Sequence, residues 1–207
     1  MSWPWGLTRL EDIRMSKSFV TLPPPRINSQ VSLETAMAQC CPVRPYAEEQ
    51  LTGEQIGQLL WAAHTTARVH KRKGTNGSTW LILYVCRADG VWRYHTQGHC
   101  LTRHLNRDVR GELADAARNR WFLAQAPCLL AISAALRRDV ERYGERWQLR
   151  CLPIEAGRAV ERTLLQAVAL GLASVPVSEF DDGRVSQVLI LSRQETPLYL
   201  LPVGWPA

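Results

Sequence analysis

The sequence predicts an α+β fold, a mixed sheet flanked by helices, and three observations carry that reading. Strand-like apolar runs alternate with stretches of helical periodicity. Two of the runs, Trp80–Cys86 and Val91–His95, are joined through Ala88–Gly90 by a turn short enough for a β-hairpin, which argues against a uniform β-α-β series. The chain has 207 residues, 46% of them hydrophobic, so one domain can bury a sizeable core without disulfides.

Leu22–Pro25 contains three successive prolines, which fix φ and restrain the residue before each of them, so the domain is expected from Leu22 to the C-terminus. Residues 1–21 are expected to be a poorly ordered extension. Ser32 opens a helix running to about Gln39. Thr52 opens a second, in which Gln55 completes a capping box and Ile56, Leu59, Leu60 and Ala63 share a face. The hairpin follows after a loop over Thr65–Ser78. Asn106 or Asp108 caps a helix through about Arg120, Pro127–Ser133 reads as a buried strand, and Arg137–Trp147 as an exposed, charge-laced helix. Small and apolar residues at helical spacing from Ile154 to Leu172 predict a central helix that Gly171 terminates. A short strand over Val175–Val177, a helix over Asp181–Leu189 and a final strand over Pro197–Val203 complete the chain.

Composition excludes several classes of function. No apolar stretch approaches the ~20 residues needed to cross a bilayer. Met1–Ser18 carries Glu11 and Asp12 and no apolar run ending in small residues, so neither membrane association nor secretion is expected and the location expected is cytoplasmic. The formal charge of +6 comes from dispersed arginines interleaved with acids; only His70–Lys73 is compactly basic, and no nucleic acid is expected as a partner. Six cysteines without a C-x-x-C pair indicate reduced thiols, Cys86 and Cys128 packing as small hydrophobes, while the adjacent Cys40 and Cys41 stand out. His95 and His99 are four apart, but at a strand end that spacing does not converge, and no zinc site is expected. Cys100 beside His99 lacks any sign of an oxyanion hole. Of the eight tryptophans, Trp61, Trp80 and Trp121 are expected in the core or at a subunit interface.

A series of segments in order, LPPP, SLETAM, VRPY, LTGEQIGQLLWAA, GVWRYHTQGHCL, DVRGELADAA, QAPCLLAI, RYGERW, IEAG, LLQAVALGL, FDDGRVSQVLIL and ETPLYLLPVG, resembles the SagB-type dehydrogenases of the nitroreductase superfamily from Leu22 through Pro206. The resemblance implies a nitroreductase-like sheet wrapped by helices, a homodimer with FMN in each of two clefts between subunits, and NAD(P)H as a possible electron donor. It also implies a small-molecule or peptide substrate. In such a protein the flavin carries the redox chemistry and the polypeptide supplies binding and geometry.

Three stretches would hold the flavin if the resemblance extends to the site. The family's R-R-S-x-R-x-Y phosphate grip reads here Cys40, Cys41, Pro42, Val43, Arg44, Pro45, Tyr46, which leaves Arg44 as the phosphate ligand. The loop that packs on the flavin ring and ribityl chain corresponds to Gly74–Trp80, with Thr75, Asn76 and Gly77 as cofactor-binding candidates. The turn whose amides lie near flavin N5 corresponds to Pro176–Phe180, with Ser178 and Glu179 as candidates. Where relatives carry H-x-x-Q-N after EAG, this chain has Arg158, Glu161 and Arg162. Arg158 and Arg162, at i,i+4, could form a cationic site; the favoured reading is an ordinary ion-paired face in which Glu155, Arg158 and Glu161 are spaced at i,i+3. The function implied is an FMN-dependent oxidoreductase with ping-pong transfer and no assigned catalytic side chain. The alternative is a flavin-free homodimer serving as a binding or regulatory subunit.

Overall fold

The computed structural model describes residues 18–64, 81–135 and 145–207. Thr75, Asn76, Gly77 and Trp80, the basic run His70–Lys73, and residues 137–144 of the expected charged helix lie outside the described residues.

The described chain runs β1 (Phe19–Thr21), α1 (Leu33–Gln39), α2 (Gly53–His64), β2 (Leu81–Arg87), β3 (Gly90–His95), β4 (Cys100–Leu105), α3 (Arg110–Ala116), α4 (Phe122–Gln125), β5 (Cys128–Ala135), α5 (Glu145–Ala169), β6 (Ala173–Ser174), α6 (Asp182–Val188) and β7 (Glu195–Gly204). The strands form one seven-stranded sheet in the order β1-β4-β3-β2-β5-β7-β6. The class is α+β, as expected. The sheet is not mixed among these strands, because every described pairing is antiparallel. The meander β2-β3-β4 places successive strands by direct turns, and the helical excursions that follow return the chain in the opposite sense to its neighbour.

Both faces of the sheet are covered, and the period-two alternation of strand side chains divides the core in two. Tyr84, Cys86, Leu129, Ala131 and Leu200 point to a cluster completed by Leu113 of α3, Phe122 and Leu123 of α4 and Val185 of α6. Their chain neighbours Leu83, Val85, Leu130, Ile132 and Leu201 point to a second cluster with Ile56, Leu59 and Leu60 of α2 and Val160 of α5. Cys86 and Cys128 are buried as expected, and burial pushes the Cys128 thiol up to about 12.

Local chemistry explains the boundaries. Thr52 and Gln55 form the expected reciprocal cap on α2, with Thr52 N donating to Gln55 Oε1 at 2.8 Å and Gln55 N to Thr52 Oγ1 at 3.2 Å. Ser32 caps α1 through Thr35 N at 3.1 Å, and Asp181 caps α6 through Arg184 N at 2.9 Å. The helix expected from Asn106 or Asp108 to Arg120 is shorter. It ends at Ala116, because Arg118 and Asn119 take positive φ, and α4 follows as a separate turn. The central helix begins nine residues before Ile154 and includes Pro153 in its interior. Pro153 removes one backbone donor, yet the turn before it is helical too. The expected strand at Val175–Val177 is displaced. The ladder is made by Ala173–Ser174, and Val177 forms an isolated bridge to Leu200. No helix among the described residues is long and apolar enough to cross a membrane.

Candidate functional site

Two of the expected cofactor-binding stretches are brought to one place on the surface, and the contact between them runs through a segment that the sequence did not single out. The stretch from Val43 to Ala47 is clamped by the C-terminal tail. Tyr46 bridges Pro206, Ala47 N donates to Trp205 O at 2.9 Å, and Ala207 N donates to Pro45 O at 3.3 Å. The Tyr46 ring is buried, which pushes its phenol up, and the Arg44–Pro45 peptide bond is cis. With both neighbours fixed, Arg44 extends outward. Its guanidinium lies over the Phe122 ring, 5.2 Å from the centroid, and among the described residues it makes no ion pair. Among the described residues it is a cation with an aromatic rest and no anion.

The turn at Ser178–Phe180 is anchored at both ends. Val177 N donates to Leu200 O at 2.9 Å, Leu200 N donates to Val177 O at 2.8 Å, and Asp181 N donates to Ala116 O at 3.0 Å. Between those anchors, Ser178 and Glu179 are exposed, and among the described residues their amide N–H groups have no protein acceptor. The Glu179 carboxylate pairs with Arg120 at 2.6 Å. Arg120 and Phe122 are two residues apart, so the start of α4 carries Glu179 through one side chain and Arg44 through another. Trp121 between them is 54% exposed, which removes it from the core and sets an aromatic surface beside the two contacts.

Sequence reading did not assign Arg120, Trp121 and Phe122 to the site: the predicted helix ended at about Arg120, and Trp121 was expected in the core or at a subunit interface. A signal was present in the run Arg-Asn-Arg-Trp-Phe, where two large aromatics follow a pair of residues able to take left-handed backbone.

The remaining candidates, Arg162 apart, have identified partners. Arg158 Nη1 pairs with Glu155 at 2.8 Å, the ion-paired face that was favoured. Arg162 does not share it. Its Nη1 is buried without a partner among the described residues. His95 Nε2 meets Thr102 Oγ1 at 2.7 Å and His99 Nδ1 meets the Tyr94 hydroxyl at 2.8 Å, so the two rings face separate partners.

Comparison with known proteins agrees with this architecture. Residues 42–205 match the model of the family described as the nitroreductase family. A protein of Methanocaldococcus jannaschii that carries the provisional name nitroreductase is 34% identical over 184 residues, covering 84% of this chain and 91% of that one. A crystal structure from Ralstonia eutropha, also provisionally named a nitroreductase, superposes with a TM-score of 0.79 at 23% identity, over 93% of this chain and 91% of that chain. The structure of a nitroreductase family protein from Clostridium novyi does so with a TM-score of 0.64 at 12% identity, over 86% of each chain. The antiparallel sheet with its helices on both faces, the match across 42–205 and the archaeal relative together place this chain in the nitroreductase family.

Proposed function

We propose that the chain is an FMN-dependent oxidoreductase of the SagB-type branch, acting as a homodimer on a small-molecule or peptide substrate, with reduced nicotinamide as a possible donor. The observation that carries this reading is the juxtaposition of an unpaired, exposed guanidinium at Arg44 with free amide donors at Ser178 and Glu179, joined through Arg120–Phe122. Arginine suits a phosphate in both charge and fork geometry, and exposed amides suit the polar edge of a flavin ring. These residues fit the cofactor, with one cation where the family motif has several. When bound, FMN would supply two-electron redox chemistry. This chain's residues would hold the phosphate at Arg44, aim N–H groups at the ring from Ser178 and Glu179, and exclude water with Trp121.

The dimer is supported by exposed apolar side chains on two packed helices. Leu33 and Met37, one turn apart on α1, are each 61% exposed, and Ile154 of the neighbouring α5 is 60% exposed. The order of segments from LPPP to LLPVG supports the SagB-type assignment.

Titration of the purified protein with FMN, read by flavin absorbance and fluorescence quenching, tests the proposal. Binding is expected, with Arg44→Ala weakening it roughly ten- to a hundredfold, the loss of one charge-assisted contact. Protein that takes up no FMN would favour the flavin-free binding or regulatory subunit instead. Unchanged affinity in Arg44→Ala would show that the phosphate lies elsewhere.

A further inference from the structure

Behind Cys40 and Cys41 lies a cavity of about 190 Å³, which neither Arg44 nor the Ser178–Phe180 turn lines. Gln39 to Cys41 and Val43 form its mouth, Leu164 and Val168 of α5 one wall, Gly171 to Ser174 the floor, and Pro206 the remaining side. Leu164 and Val168 are one helical turn apart and so present adjacent side chains to it. The space is large enough for an aromatic ring.

Both cysteines line the cavity, and the backbone between them is folded rather than extended. Cys41 N donates to Gln39 O at 2.9 Å, and Cys40 has φ −71° and ψ 86°, an inverse γ-turn that folds the chain where an extended strand would send neighbouring side chains apart. Both cysteines are free, Cys40 half-buried and Cys41 exposed. Burial first, then the nearby Glu161 and Cys41, hold the Cys40 thiol in its neutral form.

A second, independent feature points to a ligand. Ser174 on the floor is 7% exposed, and its Oγ is buried without a hydrogen-bond partner among the described residues. A buried hydroxyl left unpaired costs about 1–3 kcal/mol, so an occupant that meets it is favoured. No ionisable group other than the two thiols lines the cavity, so a charged occupant would lose its hydration uncompensated. This lining suits a neutral occupant with an apolar body that can bond two adjacent soft sulfur ligands.

We propose that Cys40 and Cys41 form a chelating dithiol for small, neutral, thiophilic molecules of the trivalent organoarsenical type, whose organic substituent lies in the cavity against Leu164, Val168 and Leu172 beside the Ser174 hydroxyl. In the capture step two As–S bonds form, to Cys40 Sγ and Cys41 Sγ, and two As–OH bonds break. The two thiol protons leave with the two hydroxides as water, and nothing is oxidised or reduced. Soft thiolate ligands suit such a centre better than any oxygen donor nearby. Neither Arg44 nor the Ser178–Phe180 turn lines this cavity, and the capture test does not depend on whether flavin binds.

The test is titration of the full chain, kept reduced with a phosphine, with phenylarsonous acid and in parallel with methylarsonous acid. Intact-mass spectrometry and free-thiol counting follow each titration. One adduct per chain with loss of two thiols is expected, abolished by Cys40→Ser and by Cys41→Ser and retained in Cys86→Ser. The phenyl compound should bind about tenfold or more tightly than the methyl one, because only its ring fills the cavity. Leu164→Trp should remove that preference while leaving methyl binding intact. The proposal is overturned by an adduct that survives either single serine variant, by one that maps to Cys151, or by equal phenyl and methyl affinities in the unaltered protein. The last comparison stands even if Leu164→Trp fails to fold.

Discussion

At His95 a buried imidazole makes stability depend on pH. Burial, reinforced by the charge of Arg93, lowers its pKa from 6.5 to about 4. The unfolded chain binds the proton more readily than the folded one, so the folded state is fully favoured above pH 6.5 and loses stability as pH falls from there toward 4. His95→Gln keeps a partner for Thr102 and removes the titration. The stability of the native protein relative to this variant, from urea midpoints at pH 7, 6, 5 and 4.5, should therefore decline as the solution is acidified, and parallel curves would refute the assignment. His99, also lowered by burial, titrates in both proteins and cancels. Of the candidate site, the sequence offered single residues by resemblance: Arg44 as a phosphate ligand, and Ser178 and Glu179 as backbone donors at a turn. What links them was not legible, because the contacts of Arg44 with Phe122 and of Glu179 with Arg120 join positions 78 and 59 apart in the sequence and follow only from the packing of α4. The cluster at Cys40 was visible as an adjacent pair, but its cavity is made by α5 and the C-terminal tail, which no local pattern connects to it.

Among the elements, the β2-β3 hairpin depends most on a single residue. Gly90 has φ +129°, a conformation that side chains rarely adopt, and a Cβ there would overlap the Leu105 carbonyl oxygen of β4 and lie 2.9 Å from Arg103 Nη1. The same arginine donates to Asp89 O and stacks 3.8 Å from the Trp92 ring centroid, so it cannot withdraw without uncovering the strand. Gly90→Ala should cost at least about 2 kcal/mol, the combined effect of strained φ and backbone displacement, measurable as a lower urea midpoint with an unchanged m-value. A loss below a few tenths would show that the hairpin relaxes freely. This hairpin and the capped starts of α1, α2 and α6 were legible because their signals are local: a turn glycine, or a hydroxyl or carboxylate three residues ahead of an amide. Strand β4 was not. It shows no clean alternation, since Cys100 and Leu101 are both buried and Thr102 to Leu105 are all half-buried, and His99 before it takes positive φ without being glycine.

In the whole molecule, the sheet buries apolar side chains on both faces, yet several large ones stay exposed, on α1 and α5 among other places. α1 packs on α5 but leaves Leu33 and Met37 outward, and Ile154 on α5 is outward as well. Three large apolar side chains, each at least 60% exposed, would lose about 25 cal/mol for every square ångström covered by a second copy, and a symmetric interface counts each of them twice. The fold class was readable from the sequence because alternation of strands and helices sets it. The antiparallel pairing of the described strands was not, because it depends on where distant segments return. Sedimentation or light scattering of the native protein should report a dimer, and Met37→Glu combined with Ile154→Glu should shift it to monomer by placing like charges across the symmetry axis. Because both residues are exposed within the chain, the variant should keep its circular dichroism and its urea midpoint at low protein concentration. A native monomer, or a variant that stays dimeric, would place the subunit contact on another surface and detach Leu33, Met37 and Ile154 from the cleft in which the cofactor is proposed to lie.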